Sequence, residues 1–209
     1  MSMKMVDLHM EAILVQILFN TTDTPEMFAE RNGKFPGAPA KCPHKGCHAP
    51  VKLRRHGFYK RYLVLIGFSG IIYIRRYLCL ACGRTVSMLP SFCLPHMQYG
   101  VEVIIMALLV AAKHMSAKYV GAKWPERPPA LSRRHIIFYR KRVTLNRVRI
   151  QFALNMMSPE FVPLKQIAGD LDWTQNFLKV VTCINPPQFN AGYHNLTGHS
   201  FMSLHNKVA

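Results

Sequence analysis

The sequence predicts an α+β fold: a small antiparallel ribbon of strands, then a mostly helical region. Three observations predict it. Two close cysteine pairs, Cys42 with Cys47 (C-x4-C) and Cys79 with Cys82 (C-x2-C), are separated by 31 residues. Between the pairs lie two strand-like runs, 51–65 and 71–78, split by a glycine-bounded turn at 67–70. Beyond the second pair, apolar residues recur at helical spacing and prolines punctuate them. Knuckle, strands, knuckle is the layout of a zinc ribbon.

The chemistry of the pairs supports that layout. A tetrahedral Zn²⁺ takes four soft ligands at about 2.3 Å, and a tight turn brings both thiolates of one pair to the same ion. Gly46 and Gly83 supply the backbone freedom for such turns. Paired spacing with Pro43 and the two glycines in place favours a metal over ordinary buried or disulfide-bonded cysteines. The expected set is therefore one structural zinc on Cys42, Cys47, Cys79 and Cys82. His44 and His48 stand close by, but with four thiols in hand they are expected to lie outside the ligand set. Cys93 and Cys183 are left over.

Taken in order, residues 3–19 place Met3, Val6, Met10, Ile13 and Ile17 at roughly helical intervals and predict an amphipathic helix. Residues 21–40, with three prolines and two glycines, read as a linker. After the ribbon, Pro90 and Pro95 bracket a connector, and a helix is expected over 98–115. A short helix at 118–122 and a proline-rich loop at 123–130 follow. Ser132 is the expected N-cap of a helix over 133–143. On it Ile136, Tyr139 and Val143 share one side, and Arg133, Arg134, Ile137, Arg140 and Lys141 an adjacent one. Helix, short helix, loop, basic helix is the order of a helix-turn-helix unit, although this loop exceeds a tight turn. A helix over 146–157 comes next. Segments 164–168 and 174–182 look helical, joined through 169–173, and Pro186-Pro187 breaks the pattern. The tail, 188–209, has three histidines (His194, His199, His205) at spacings that fit no standard metal site. Four segments result: 1–40, helix and linker; 41–90, zinc ribbon; 91–158, helix-turn-helix-like helices; 159–209, a helical and irregular extension.

Charge narrows the function. The 209 residues carry 27 Lys+Arg against 10 Asp+Glu, a formal charge of +17. Between Arg31 and Val101 there is no acid at all, and 127–159 is a second acid-free stretch. A basic run is commonly a solvated face; two long ones with every acid excluded point to a polyanionic partner. The residues expected on nucleic acid are Lys52, Arg54, Arg55, Lys60, Arg61, Arg75 and Arg76 of the ribbon, interleaved with Tyr59, Tyr62, Tyr73 and Tyr77, and Arg133, Arg134, Arg140 and Lys141 of the basic helix.

No secretory signal is expected, because the apolar run 12–19 is short and follows Asp7, His9 and Glu11. The most apolar later run, 103–112, is half of what a bilayer needs. No membrane role is expected, and thiols in knuckle spacing suit a reducing compartment, the cytoplasm near the nucleoid.

An enzyme is not expected. Two-metal chemistry on nucleic acid requires about three convergent carboxylates. Only Glu160, Asp170 and Asp172 come near one another in sequence, and no phosphate-binding loop, H-E-x-x-H or G-x-S-x-G is present. The deaminase pattern of His-x-Glu before a cysteine pair is missing too. A zinc with four thiolates leaves no position for water.

Three phrases carry a resemblance: 55–61 (RHGFYKR), 72–79 (IYIRRYLC) and 82–90 (CGRTVSMLP), with 138–142 (FYRKR) and 200–202 (SFM) behind them. Together they resemble a bacterial family of unknown function that joins a transposase-type zinc ribbon to a helix-turn-helix-like region. The ribbon phrase is similar to that of insertion-element regulators and transposases, C-x-x-C-G-[RK]-T-F-S. Val86 stands where an aromatic is usual, and the first pair has four intervening residues instead of two. The resemblance implies a DNA-binding regulator or accessory factor of transposition, acting on double-stranded DNA, with a recombinase or transposase as a protein partner and room for a homodimer. Two other classes stay open. One is an RNA or single-strand binding module, since basic aromatic strands stack bases. The other is an adaptor whose ribbon docks on a recombinase or polymerase.

Overall fold

A computed structural model describes residues 15–44, 46–47, 53–114, 131–158 and 170–203. Ten elements follow in the order β1 (Val15–Phe19), α1 (Pro25–Glu30), β2 (Arg54–Leu65), β3 (Phe68–Leu78), β4 (Thr85–Pro90), α2 (Val101–His114), α3 (Arg133–Leu145), α4 (Arg147–Met157), α5 (Asp170–Ile184) and α6 (Pro186–Thr197). The strands form one mixed sheet in the order β1-β4-β3-β2. The fold is thus α+β, a four-stranded sheet with six helices.

The ribbon hairpin is β2 against β3, antiparallel from Arg54↔Leu78 to Leu65↔Phe68. Its turn is tighter than the sequence suggests: Ile66 and Gly67 alone connect the strands, and Phe68, Ser69 and Gly70 are already paired. Gly67 has φ +77°, a left-handed conformation that glycine adopts without strain. A bulge at His56-Gly57 shifts the register near the cysteine end.

The sheet is larger than a two-stranded ribbon. Residues 85–90 make a third strand, antiparallel to β3 through Arg76↔Ser87. The N-terminal edge corrects a sequence expectation. Residues 15–19, read as the end of a helix, form a strand parallel to β4, with Val15↔Val86 through Phe19↔Pro90. Ile17 and Phe19 join the cluster around Tyr77, Val86 and Met88, while Leu18 joins the one around Leu63, Ile72, Ile74 and Leu89. A short run needed on both faces reads as apolar at any period, so helix and strand are indistinguishable from sequence there. Residues 3–14 of the expected helix lie outside the described residues.

The linker at 21–40 contains α1. Thr24 caps it by accepting from the Met27 N–H at 3.3 Å, and Pro25 occupies the first turn. Phe28, 1% exposed, packs against Phe19, Phe35 and Phe92.

The helices hold a second core. Trp173 and Phe177 of α5 stack at 5.4 Å, and Phe177, Phe189, Tyr193 and Phe201 continue the aromatic column. Four expectations change here. Asp170–Trp173 belongs to α5 and is not a joint. Pro186-Pro187 starts a helix instead of breaking one, because Asn185 caps it through a bond from Gln188 N–H at 3.4 Å. The tail is helical to Thr197, and its Phe201 and Met202 are buried. The helix expected over 98–115 begins at Val101, because Gln98 O and Gly100 N–H are bonded to the backbone of Val64 across the Val64–Tyr99 bridge.

Two buried amides tie these layers together. Asn190 Nδ2 donates to the carbonyls of Ser91 and Cys93, both at 2.8 Å, fixing α6 to the chain leaving the sheet. Asn146, alone between α3 and α4, donates to Arg142 O, Phe201 O and Ser203 O. The segments expected at 118–122, 123–130 and 164–168 lie outside the described residues. The joint of the expected helix-turn-helix unit, between α2 and α3, is among them, and α3 and α4 meet at the single residue Asn146. Among the described residues no helix is long and apolar enough to cross a membrane.

Candidate metal centre and basic surfaces

The first knuckle ends where the Cys47 N–H bonds His44 O at 3.0 Å, and Gly46 turns the chain at φ +81°. In the second, Gly83 N–H bonds Cys79 O and Cys79 N–H bonds Arg84 O, both at 2.9 Å, with Gly83 at φ +68°. The β2–β3 hairpin and β4 carry the knuckles to the same place. Cys42 Sγ stands 3.8 Å from Cys82 Sγ, and Cys47 Sγ 3.7 Å from Cys79 Sγ. All four sulfurs lie within 4.8 Å of one another.

These spacings decide between disulfide and metal. A disulfide needs its sulfurs about 2.05 Å apart. A tetrahedral ion with bonds near 2.3 Å holds its thiolates about 3.8 Å apart. None of the four cysteines is disulfide-bonded, and their spacing matches the second value. They can hold one metal ion, and no other group of three or more such ligands occurs among the described residues.

Polarity around the sulfurs is uneven. Backbone N–H groups of Cys82 and Ala81 hold the Cys79 thiol down to about 7. Burial pushes Cys42 up to about 12. A cation is what stabilises the buried thiolate form of Cys42. Leu53, Tyr77, Val86 and Met88 pack around buried Cys42 and Cys79, while Cys47 and Cys82 stay half-buried. His44 is buried, with Nε2 3.4 Å from Thr85 O, so it braces the first knuckle against β4 and is not one of the four ligands. His48 lies outside the described residues.

The basic residues divide into free and engaged. Arg54, Arg55 and Lys60 on β2 are exposed, as are Arg133, Arg134, Arg140 and Lys141 on α3. The α3 helix has the sidedness its sequence implies: Ile136, Tyr139 and Val143 are buried, and the cations face out. Ser132 caps it in a box with His135. Lys52 lies outside the described residues.

Three ribbon arginines are placed otherwise than expected. Arg61 gives its guanidinium to the carbonyls of Leu94 and Met97, pinning the 94–97 loop beside β2. Arg75 is only 9% exposed and bonds Gly57 O at 3.3 Å, across the bulge. Its strand neighbour Tyr77 is buried with its hydroxyl on Pro36 O at 2.6 Å, because the loop after α1 covers that part of the sheet. Arg76 is half-buried on the opposite face. Alternation along an isolated hairpin exposes all three; a wider sheet with a loop across it does not.

The sequence reading missed Asn146, Asn190 and the Pro-capped start of α6. Asn185 followed by two prolines was the available signal for that start. The two buried asparagines have none, since their partners are 55 and 99 residues away.

Residues 42–122 match the family described as "Domain of unknown function (DUF6431)". The match takes in the cysteine centre, the hairpin, β4 and α2. No curated protein and no solved structure is significantly similar to the chain. Nothing in the match points to an insertion-element protein.

Proposed function

We propose that the protein binds nucleic acid, duplex DNA in the first instance, through two basic surfaces held in place by a zinc-stiffened sheet. Zinc is the metal that four thiolates in tetrahedral array select in a closed structural site. One observation carries the binding reading. Among the described residues the only ion pair is Arg31 with Asp23, at 2.6 Å. Arg54, Arg55, Lys60, Arg84, Arg133, Arg134, Arg140 and Lys141 are exposed, and none pairs with a carboxylate among the described residues. Unneutralised cations on two surfaces suit phosphate contacts and counterion release. The ribbon likeness adds a role: regulator or accessory factor of DNA transposition, working beside a catalytic partner.

The two surfaces differ in what they can read. Arg54, Arg55 and Lys60 sit on a strand and suit backbone tracking, which gives affinity without sequence information. Arg133, Arg134 and Arg140 project from one helix, where an arginine can reach a guanine bidentately. After selecting a preferred site from random duplexes, Arg54→Ala is expected to weaken all duplexes alike and lower the salt slope by about one unit. Arg134→Ala is expected to cost ~1–3 kcal/mol on the preferred site and less on random DNA. Helix substitutions that weaken both duplexes equally, with ribbon substitutions changing the preferred sequence, would invert the assignment. Tighter binding to RNA than to duplex in the same assay would favour the RNA-binding reading. Salt-insensitive, negligible binding to every nucleic acid would leave the adaptor.

A second expectation concerns chemistry. With Mg²⁺ or Mn²⁺ present, the purified protein should neither cut nor join DNA. Cleavage abolished by Asp170→Ala or Glu160→Ala, each assayed with a plasmid substrate, would show that these carboxylates build a centre.

A further inference from the structure

One face of the sheet carries a polar row through an otherwise apolar surface. Gln16 on β1 pairs with Ser87 on β4, and Ser87 with Arg76 on β3, so the three side chains stand side by side. One step along, Leu18, Leu89 and Ile74 are buried as core. Yet Gln16 Oε1, Ser87 Oγ and Arg76 Nε are all buried with no partner among the described residues, and Ser87 is 0% exposed. Buried polar atoms ordinarily find partners, since each orphan costs stability. Three in one row point to a ligand.

The two ends of the row, Gln16 and Arg76, line a cleft, with Ser87 buried beneath. Gln16, Tyr59, Arg61, Arg76, His96 and Gln98 line its approximately 490 Å³. Tyr59 stands between the arginines in register, opposite Ile74. The lining contains two guanidinium groups and an imidazole, but no carboxylate. Cations gathered in a partly desolvated cleft repel one another unless an anion joins them. Guanidinium forks match phosphate oxygens.

We propose that this cleft takes one unpaired nucleotide of a bound nucleic acid strand, its phosphate on Arg76 and its base edge on the amides of Gln16 and Gln98. The volume favours a nucleotide over a bare phosphate, falling in the range of small-molecule pockets. The site is separate from the exposed strand and helix cations, and it gives Arg76 a use that backbone tracking does not. It rests on the nucleic-acid reading and refines it, from a plain duplex to one with an unstacked base.

The test compares a perfect duplex with the same duplex carrying a one-nucleotide 2-aminopurine bulge, both titrated onto the full chain. The bulged duplex is expected to bind roughly tenfold more tightly, with a change in 2-aminopurine emission. Arg76→Ala and the milder Gln16→Leu should each erase the preference while leaving perfect-duplex affinity within about twofold. Arg134→Ala should weaken both duplexes and keep the preference. Circular dichroism of each variant identifies any that misfolds, and Gln16→Leu keeps an apolar strand residue so that one variant stays informative. Equal binding of the two duplexes by the unaltered protein, or a preference that survives both cleft variants, overturns the proposal while the duplex reading stands. Failure to bind either duplex at any salt removes both.

Discussion

Cys79→Ser is expected to lose zinc and the fold of the sheet together. The native chain should carry one zinc, and structural zinc contributes roughly 10–16 kcal/mol of apparent binding free energy in small domains, more than a domain's usual margin. The loss spreads because Cys42 and Cys79 are part of a packed cluster with Leu53, Tyr77, Val86 and Met88. Elemental analysis with circular dichroism, before and after chelation, measures both effects. Metal-free native protein with an unchanged spectrum would refute the assignment, as would a Cys79→Ser protein with full zinc. Acidification should release the metal, since protons compete for the four sulfurs, and Cys42, held up near 12 by burial, takes a proton most readily.

Asn190→Ala is expected to destabilise the protein more than any surface change. Its amide is the donor to two carbonyls, Ser91 O and Cys93 O, in a fully buried position. Stranding two buried acceptors at about 1–3 kcal/mol each gives a loss of roughly 2–6 kcal/mol. For a chain of this length that lowers the thermal midpoint by roughly 4–24 °C. Asn190→Asp keeps the volume and removes the donor, so it should be at least as damaging, which separates the hydrogen bonds from packing. A melting curve shifted by less than a degree in both variants would mean that α6 is not anchored to the sheet through this residue.

The bonds of Asn190 illustrate why some features were legible in the sequence and others were not. Cysteine pairs declare themselves, because a metal site depends on ligand type and local turn spacing, both written in short stretches. So do the hairpin, the cap at Ser132 and the buried side of α3, which follow from period and neighbouring residues. A side chain that reaches across 99 residues leaves no local trace.

The same division explains the strands and the arginines. Residues 15–19 have no strand period that a helix would not also satisfy; parallel pairing to β4 decides their state. Arg61, Arg75 and Arg76 read alike as basic strand residues, yet one pins a loop, one bridges a bulge and one lines a cleft. What differs is the cover: a loop after α1 on one face, the 94–98 segment beside the other.

By itself, then, the sequence determined the cluster of four thiols, the acid-free runs of charge and the hairpin between the cysteine pairs, since each rests on composition or on spacing within a turn or two. Tertiary structure alone decided that the ribbon is half of a four-stranded sheet, that the prolines at 186 and 187 open a helix, and which cations meet solvent. Those outcomes depend on what packs over each face, and packing partners are chosen by shape and burial across the whole chain, not by neighbours along it.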